Sequence, residues 1–308
     1  LLTKSGTSRI RIDPHGHSTS KSDHFAKPGD GKREDAIKRE DAIMSQLRIF
    51  SYLPNPRIWK ATIAARLAAV EVEVRGSSPK ELQSWLWDFD ARPLLPSEQA
   101  VSREVRGQVG FKGTLHKTAE FIAAHPFGTV PAAFSSDGTV GIFESNSIMR
   151  AVARLGASRF PLYGADAYEA SRIDSFLDAS LVFARDGQIY LLALGGEALS
   201  AEIHSRARDG FRTYLGGINQ VLAPDREFIV GHTITLADIC FVAELSLFHN
   251  EKARARELLK RGVEPILNAA VEAEFPHAMS HFTRLSKHPA FAPDVEPYLA
   301  KIEKVASR

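Results

Sequence analysis

Cysteine is almost missing from this chain: Cys240 is the single one in 308 residues. No disulfide can close within the chain, and a metal site built from clustered cysteines is excluded. The expected setting is reducing and cytoplasmic, and no metal is expected. An excess of either charge is also lacking. Lys and Arg number 39 against 37 Asp and Glu, for a formal net charge of +2. That balance gives no electrostatic argument for nucleic acid or an anionic membrane as partner. No apolar run approaches the roughly 18–20 residues that span a bilayer. The first residues lack the apolar segment of a secretory signal.

What is present is ordinary for a globular protein, with 44% hydrophobic and 25% charged residues. The length allows two domains. Residues 1–43 stand apart: they are polar, rich in turn formers, and carry KREDAI twice in tandem. Such a segment buries too little apolar surface to offset its ordering entropy. It is expected to be a disordered leader or an expression-derived segment, with Met44 as the natural start of the folded part.

From there the pattern alternates. LRIFSY (47–52) has strand composition, and RIWKATIAARLAA (57–69) places Ile58, Ile63 and Leu67 on one helical face. VEVEVRG (70–76) alternates apolar and charged residues, as a half-exposed strand does. TLHKTAEFIAAH (114–125) predicts a second helix. FGTVPAAFSSDGTVGIFESNSI (127–148) predicts a hairpin around Asp137-Gly138 and then a helix. After residue 160 the strands vanish and amphipathic helical segments follow. TLADICFVAELSLF (235–248) is apolar nearly all round, so it should be buried. The expected division is an α/β domain over 44–158 with a long insertion at about 77–113, an all-helical domain over 162–295, and a tail over 296–308.

Four short motifs bear on chemistry. Val130-Pro131 puts a proline at a strand mouth, where it is either a plain strand start or a cis bond. Glu144-Ser145 sits where a strand hands over to a helix, a junction whose exposed N–H groups favour anions; Ser145 could instead cap that helix. SYLPN (51–55) offers Ser51, Tyr52 and Asn55 as hydrogen-bond donors after the first strand. Thr235-Leu236-Ala237-Asp238 reads as a capping box, with Ile234 as its hydrophobic staple. Cys240, inside that helix, is expected to be a small buried residue.

Together these residues resemble the glutathione transferase superfamily over roughly residues 46–295. Within it, LRIFSYLPNPRIWKATIAA, FGTVPAAF with FESNSI, and FIVGHTITLADIC look most like the transferase-like domain of elongation factor 1 gamma. The motifs also resemble those of bacterial glutathione-dependent β-aryl ether-cleaving enzymes.

The resemblance implies a thioredoxin-like N-terminal domain, an all-α C-terminal domain, and glutathione as cosubstrate. It implies that Val130, before a cis Pro131, binds the peptide's cysteine through its backbone. Glu144 and Ser145 would hold the γ-glutamyl end. Thr129 and His116 complete the expected glutathione contacts, with Lys117 and Arg57 as other basic candidates. Asn55, with Ser51 second, would stabilise the thiolate. Tyr52, Ser175, Asp178 and Leu181 would line a pocket between the domains for a small apolar or aromatic electrophile.

Conjugation, thiolytic ether cleavage and reduction all fit that chemistry. The alternative is a non-catalytic scaffold of the elongation-factor type that assembles protein partners. A homodimer, or a heterodimer with a related subunit, is expected from the family. The insertion, with Trp85, Trp87 and Phe89, is expected either to wall the acceptor pocket or form a partner surface, or to pack its tryptophans back on the body.

Overall fold

The computed structural model describes residues 8–12, 46–98, 102–107, 110–111, 113–195, 199–223 and 226–307. The chain divides into two compact units, one of residues 1–53 and 69–143, the other of residues 54–68 and 144–308. These units cut the chain elsewhere than the expected 44–158 and 162–295. The first helix and the segment after Phe143 group with the later helices.

The first unit is built on a five-stranded sheet in the order β1-β3-β2-β8-β9: β1 (Ser8–Ile12), β2 (Leu47–Tyr52), β3 (Val72–Ser77), β8 (Ala132–Ser135) and β9 (Gly141–Phe143). β2 runs parallel to β3, with Leu47 opposite Val72 and Ser51 opposite Gly76. β8 pairs antiparallel with both β2 and β9. Gly76 is obligatory, because a Cβ there would meet the Ser51 carbonyl oxygen at 1.8 Å.

β1 is a departure from the expected leader. Ser-Arg-Ile-Arg-Ile alternates with period two, and it forms an edge strand antiparallel to β3. The rest of that leader, and Met44, lie outside the described residues. Glu73 of β3 is buried despite its charge, because Arg48 and Arg75 donate to its carboxylate at 2.9 and 3.0 Å.

The insertion is folded. β4 (Trp85–Trp87), β5 (Arg92–Pro93), β6 (Arg103–Arg106) and β7 (Thr114–Lys117) form a second sheet in the order β5-β4-β7-β6. Thr114–Lys117 is therefore strand, where a helix was expected from residue 114. The helix of that segment, α2 (Ala119–Ala124), begins only after Thr118, whose hydroxyl accepts from the Phe121 N–H. Trp85 and Trp87 are buried with Phe50, Phe121 and Phe134 in the unit's aromatic core. The Trp87 indole donates to the Leu82 carbonyl at 3.0 Å. Of the expectations for the insertion, packing of its tryptophans back on the body is the one observed.

The second unit is helical, apart from short 3-10 turns. Its helices are α1 (Pro56–Ala68), α3 (Ser145–Leu155), α4 (Ala167–Ala193), α5 (Ala201–Leu222), α6 (Leu236–Phe248), α7 (Ala255–Lys260), α8 (Ala269–Glu274), α9 (Pro276–Ser286) and α10 (Ala292–Ala306). The expected tail from 296 is thus helix as far as Ala306, with Val295 and Ile302 buried. α6 is buried around its whole circumference, and α1, α4, α5 and α9 pack against it or one another.

The capping box at its start is present. The Asp238 carboxylate accepts from the Thr235 N–H at 2.8 Å, the Ile229 N–H at 3.0 Å and His281 Nε2 at 2.8 Å. Among the described residues, no helix is long and apolar enough to cross a membrane.

Candidate functional site

The candidate residues divide between the units. Ser51, Tyr52, His116, Thr129, Val130 and Pro131 lie in the first; Asn55, Glu144, Ser145, Ser175, Asp178 and Leu181 lie in the second.

In the first unit the Val130–Pro131 bond is cis, the second of the two forms open to it from sequence. β8 starts directly after Pro131, and its first residue, Ala132, stands opposite Phe143. The Val130 side chain packs on the aromatic core that the insertion helps to build.

The loop before it is fixed from two sides. Lys117 Nζ donates to the Gly128 carbonyl at 2.7 Å and lies over the Trp87 ring, 4.9 Å from its centroid. His125 Nε2 is 3.4 Å from Thr129 Oγ1, and its ring stacks on Phe143 at 5.0 Å. Burial holds Lys117 below the ordinary lysine range. Burial, then the Lys117 charge, depress His125.

His116 does not join this loop. It sits in β7 opposite Leu86 and Glu104, with Nδ1 3.1 Å from Ser102 Oγ. Lys117, the next residue, is the one that reaches the loop. The only local signal of His125 in the sequence is the His-Pro-Phe-Gly turn.

Ser51 and Tyr52 end β2. The first is completely buried, and Tyr52 packs half-buried on the aromatic core.

In the second unit, Asn55 is 1% exposed and its carboxamide oxygen accepts from the Arg57 N–H at 3.0 Å. It therefore caps α1, ahead of Pro56 at the first helical position. Ser175, Asp178 and Leu181 all lie on α4. The Ser175 hydroxyl turns back to the Ser171 carbonyl at 2.9 Å, Asp178 lies 3.6 Å from Arg150, and Leu181 is exposed.

Glu144 and Ser145 open α3. Glu144 is the cap residue by position, with φ 66° and ψ 124°, and its side chain makes no capping bond. A non-glycine residue in that region is an outlier, and such outliers cluster at functional sites. Glu144 is exposed. Ser145 is the first helical residue, so the expected capping alternative for it does not apply.

The Ser145 hydroxyl oxygen instead accepts from Lys60 Nζ at 3.3 Å. Lys60 also donates to Asn146 Oδ1 at 2.8 Å and Glu244 Oε1 at 2.7 Å. Burial pushes the Glu244 carboxyl up, but Arg57 and Lys60 outweigh it and hold the group below its ordinary range. Lys60 and Glu244 had no motif to mark them, because the sequence separates them by 184 residues.

Cys240 is buried as expected, but in polar company, with Sγ 3.3 Å from Ser180 Oγ and 3.5 Å from Asn146 Oδ1. Among the described residues, no group of three or more His, Cys, Asp or Glu side chains could hold a metal ion.

No family model matches the chain. In sequence it is 32% identical over 181 residues to elongation factor 1-gamma 1 of Oryza sativa subsp. japonica, covering 58% of this chain and 39% of that protein. Elongation factor 1-gamma-A of Xenopus laevis is 27% identical over 202 residues, covering 64% of this chain and 37% of that protein. The chain thus spans well under half the length of these relatives.

Among solved structures, a glutathione transferase of Methylobacterium radiotolerans in complex with glutathione sulfonate superposes with a TM-score of 0.55 at 20% identity. That match covers 81% of this chain and 94% of the other. A glutathione transferase of Phanerochaete chrysosporium with oxidised glutathione gives 0.56 at 18% identity, covering 84% and 98%. Ure2p in complex with glutathione gives 0.54 at 17%, covering 82% and 98%. The chain therefore has the glutathione transferase fold, an α/β thioredoxin-like part followed by helices, with sequence relatives among the elongation factor 1-gamma proteins.

Proposed function

We propose that this chain binds glutathione and presents its thiolate to a small apolar or aromatic electrophile. The observation that carries the reading is Glu144: an exposed glutamate in a backbone region that side chains avoid, beside a serine at the start of an eleven-residue helix. Strain of this kind costs about 1–3 kcal/mol and persists where function demands it.

The γ-glutamyl end of glutathione carries both an ammonium and a carboxylate. Glu144 would face the ammonium, and the Ser145 hydroxyl with the first N–H groups of α3 would take the carboxylate. The Val130 backbone, with Pro131 and Thr129 beside it, would hold the cysteinyl part. Lys117 suits the glycyl carboxylate better than His116, since its ammonium reaches the same loop.

For the thiolate, the Asn55 amide N–H remains the proposed donor, its oxygen being committed to α1. Ser51 is second. A thiol of ordinary pKa, about 8.5, needs such a donor to react at neutral pH. The thiolate then attacks carbon, and either a halide or an aryloxide leaves; the latter is ether cleavage. Tyr52, Ser175, Asp178 and Leu181 are proposed for the acceptor, and a homodimer or heterodimer for the assembly. α4 exposes Leu181, Val182, Ile189 and Leu192 for such a contact.

A second reading, a scaffold that binds protein partners without turnover, is favoured by one observation. Both thiolate-donor candidates, Ser51 and Asn55, are buried, at 0% and 1% exposure. The sequence likeness to elongation factor 1-gamma supports it too.

Conjugation of glutathione to 1-chloro-2,4-dinitrobenzene separates the two. The enzyme reading expects turnover that falls at least tenfold in Asn55→Ala or Ser51→Ala. Glutathione binding without any turnover would leave the scaffold.

A further inference from the structure

The second unit holds a buried polar cluster around Ser145, in which the proposed roles leave Lys60 and Glu244 unused. Lys60 of α1 is 1% exposed, and its three ammonium N–H groups match three acceptors: Glu244 on α6, Asn146 and Ser145 on α3. Arg57, one turn earlier on α1, brings its Nε to 3.3 Å from the same Glu244 oxygen and donates to the Ala184 carbonyl at 2.8 Å. Buried Lys60 and partly exposed Arg57 thus face the same Glu244 oxygen, close to the start of α3.

We infer that Lys60 is a positioning residue for the carboxylate held at Ser145; this rests on the glutathione reading above. A lysine ammonium can only donate. Ser145 Oγ must therefore be the acceptor toward Lys60, which leaves its own O–H proton to be donated elsewhere. That is what a bound carboxylate needs, since an ionised carboxylate only accepts.

Asn146 is locked in the same sense. Its oxygen faces Lys60, while Nδ2 donates to the Leu177 carbonyl at 3.0 Å and Ser180 Oγ at 3.3 Å. The first two residues of α3 are thus held by one buried cation, at a helix N-terminus that itself favours an anion. Mere stability supplies no reason for the arrangement, because a buried ion pair is often replaceable by apolar residues of similar volume without loss.

The test is glutathione affinity, measured by calorimetry for the wild type, Lys60→Met and Ser145→Ala. Each is also titrated with a glutathione analogue whose γ-glutamyl α-carboxylate is converted to the carboxamide. The wild type should prefer glutathione to the analogue at least tenfold. Lys60→Met should lose most of that preference, with affinity for the analogue little changed, a selectivity that a general loosening of the fold would not single out.

If circular dichroism shows Lys60→Met unfolded, Lys60→Met/Glu244→Gln removes both charges and is judged by the same ratio. A preference retained in the lysine variant but lost in Ser145→Ala overturns the role of Lys60 alone. A wild type that binds neither ligand overturns both this inference and the glutathione reading.

Discussion

Lys60 Nζ and Glu244 Oε1 lie 2.7 Å apart, both side chains buried, although 184 residues separate them in the chain. The pair joins α1 to α6 and, through the same ammonium, reaches Ser145 and Asn146 at the start of α3. Helix packing and the candidate anion site are thereby linked within one unit, with consequences for several substitutions.

Glu144→Gly should separate stability from binding. Glycine takes a positive φ without penalty, so relief of the 66° backbone should raise stability by up to about 1 kcal/mol after glycine's own entropy cost. Glutathione affinity should nevertheless fall, because the carboxylate is gone. Glu144→Ala should lose the same affinity with no gain in thermal midpoint. Melting curves and calorimetric titrations of the two variants check the contrast.

Trp87→Ala should destabilise the protein by about 3–5 kcal/mol, the usual cost of emptying a large buried aromatic site. The Trp87 ring packs edge-on against Phe50, Phe111 and Phe121 and lies beneath the Lys117 ammonium. Denaturant unfolding measures the loss. A cost below about 1 kcal/mol would mean that the second sheet is not integral to this core.

Acid should weaken the fold between pH 6.5 and 4 through His249. Burial depresses its pKa from 6.5 to about 4, so the folded state prefers the neutral ring. The associated stability is complete above pH 6.5 and is lost as pH falls through 4, by at most roughly 3 kcal/mol. His249→Gln should flatten this part of the stability profile. An unchanged slope in that variant would assign the acid sensitivity to another group.

Asp238→Ala should cost about 2–4 kcal/mol, more than a surface cap, since it strips partners from Thr235, Ile229 and His281 together. Thermal unfolding gives the value, and Asp238→Asn should recover part of it.

Local features of this fold could be read from sequence, and the long-range ones could not. Strand 47–52, the Glu144-Ser145 junction and the Thr235–Asp238 box each declare themselves within a few residues, whereas Val130-Pro131 alone leaves a plain strand start and a cis bond both open. Thr114–Lys117 did not, because four residues of strand have no period to detect and are held by β4 and β6. Thr118, a good cap, marked the true helix start inside the run that looked helical. Ser8–Ile12 shows the opposite error: its alternation was visible but lay within a polar stretch. Asn55 was noticed as a donor and turned out to be spending its oxygen on a helix cap. Lys60 carries no local signal, because a lysine on an amphipathic helix ordinarily faces water.

The most direct measurement is titration of glutathione into the wild-type protein and Ser145→Ala. One saturable site should appear in the wild type. In the variant, loss of a hydrogen bond to a charged group, worth about 1.5–3 kcal/mol, should weaken it roughly 10- to 100-fold. Absence of saturable binding in the wild type, or equal affinity in both, would contradict the account.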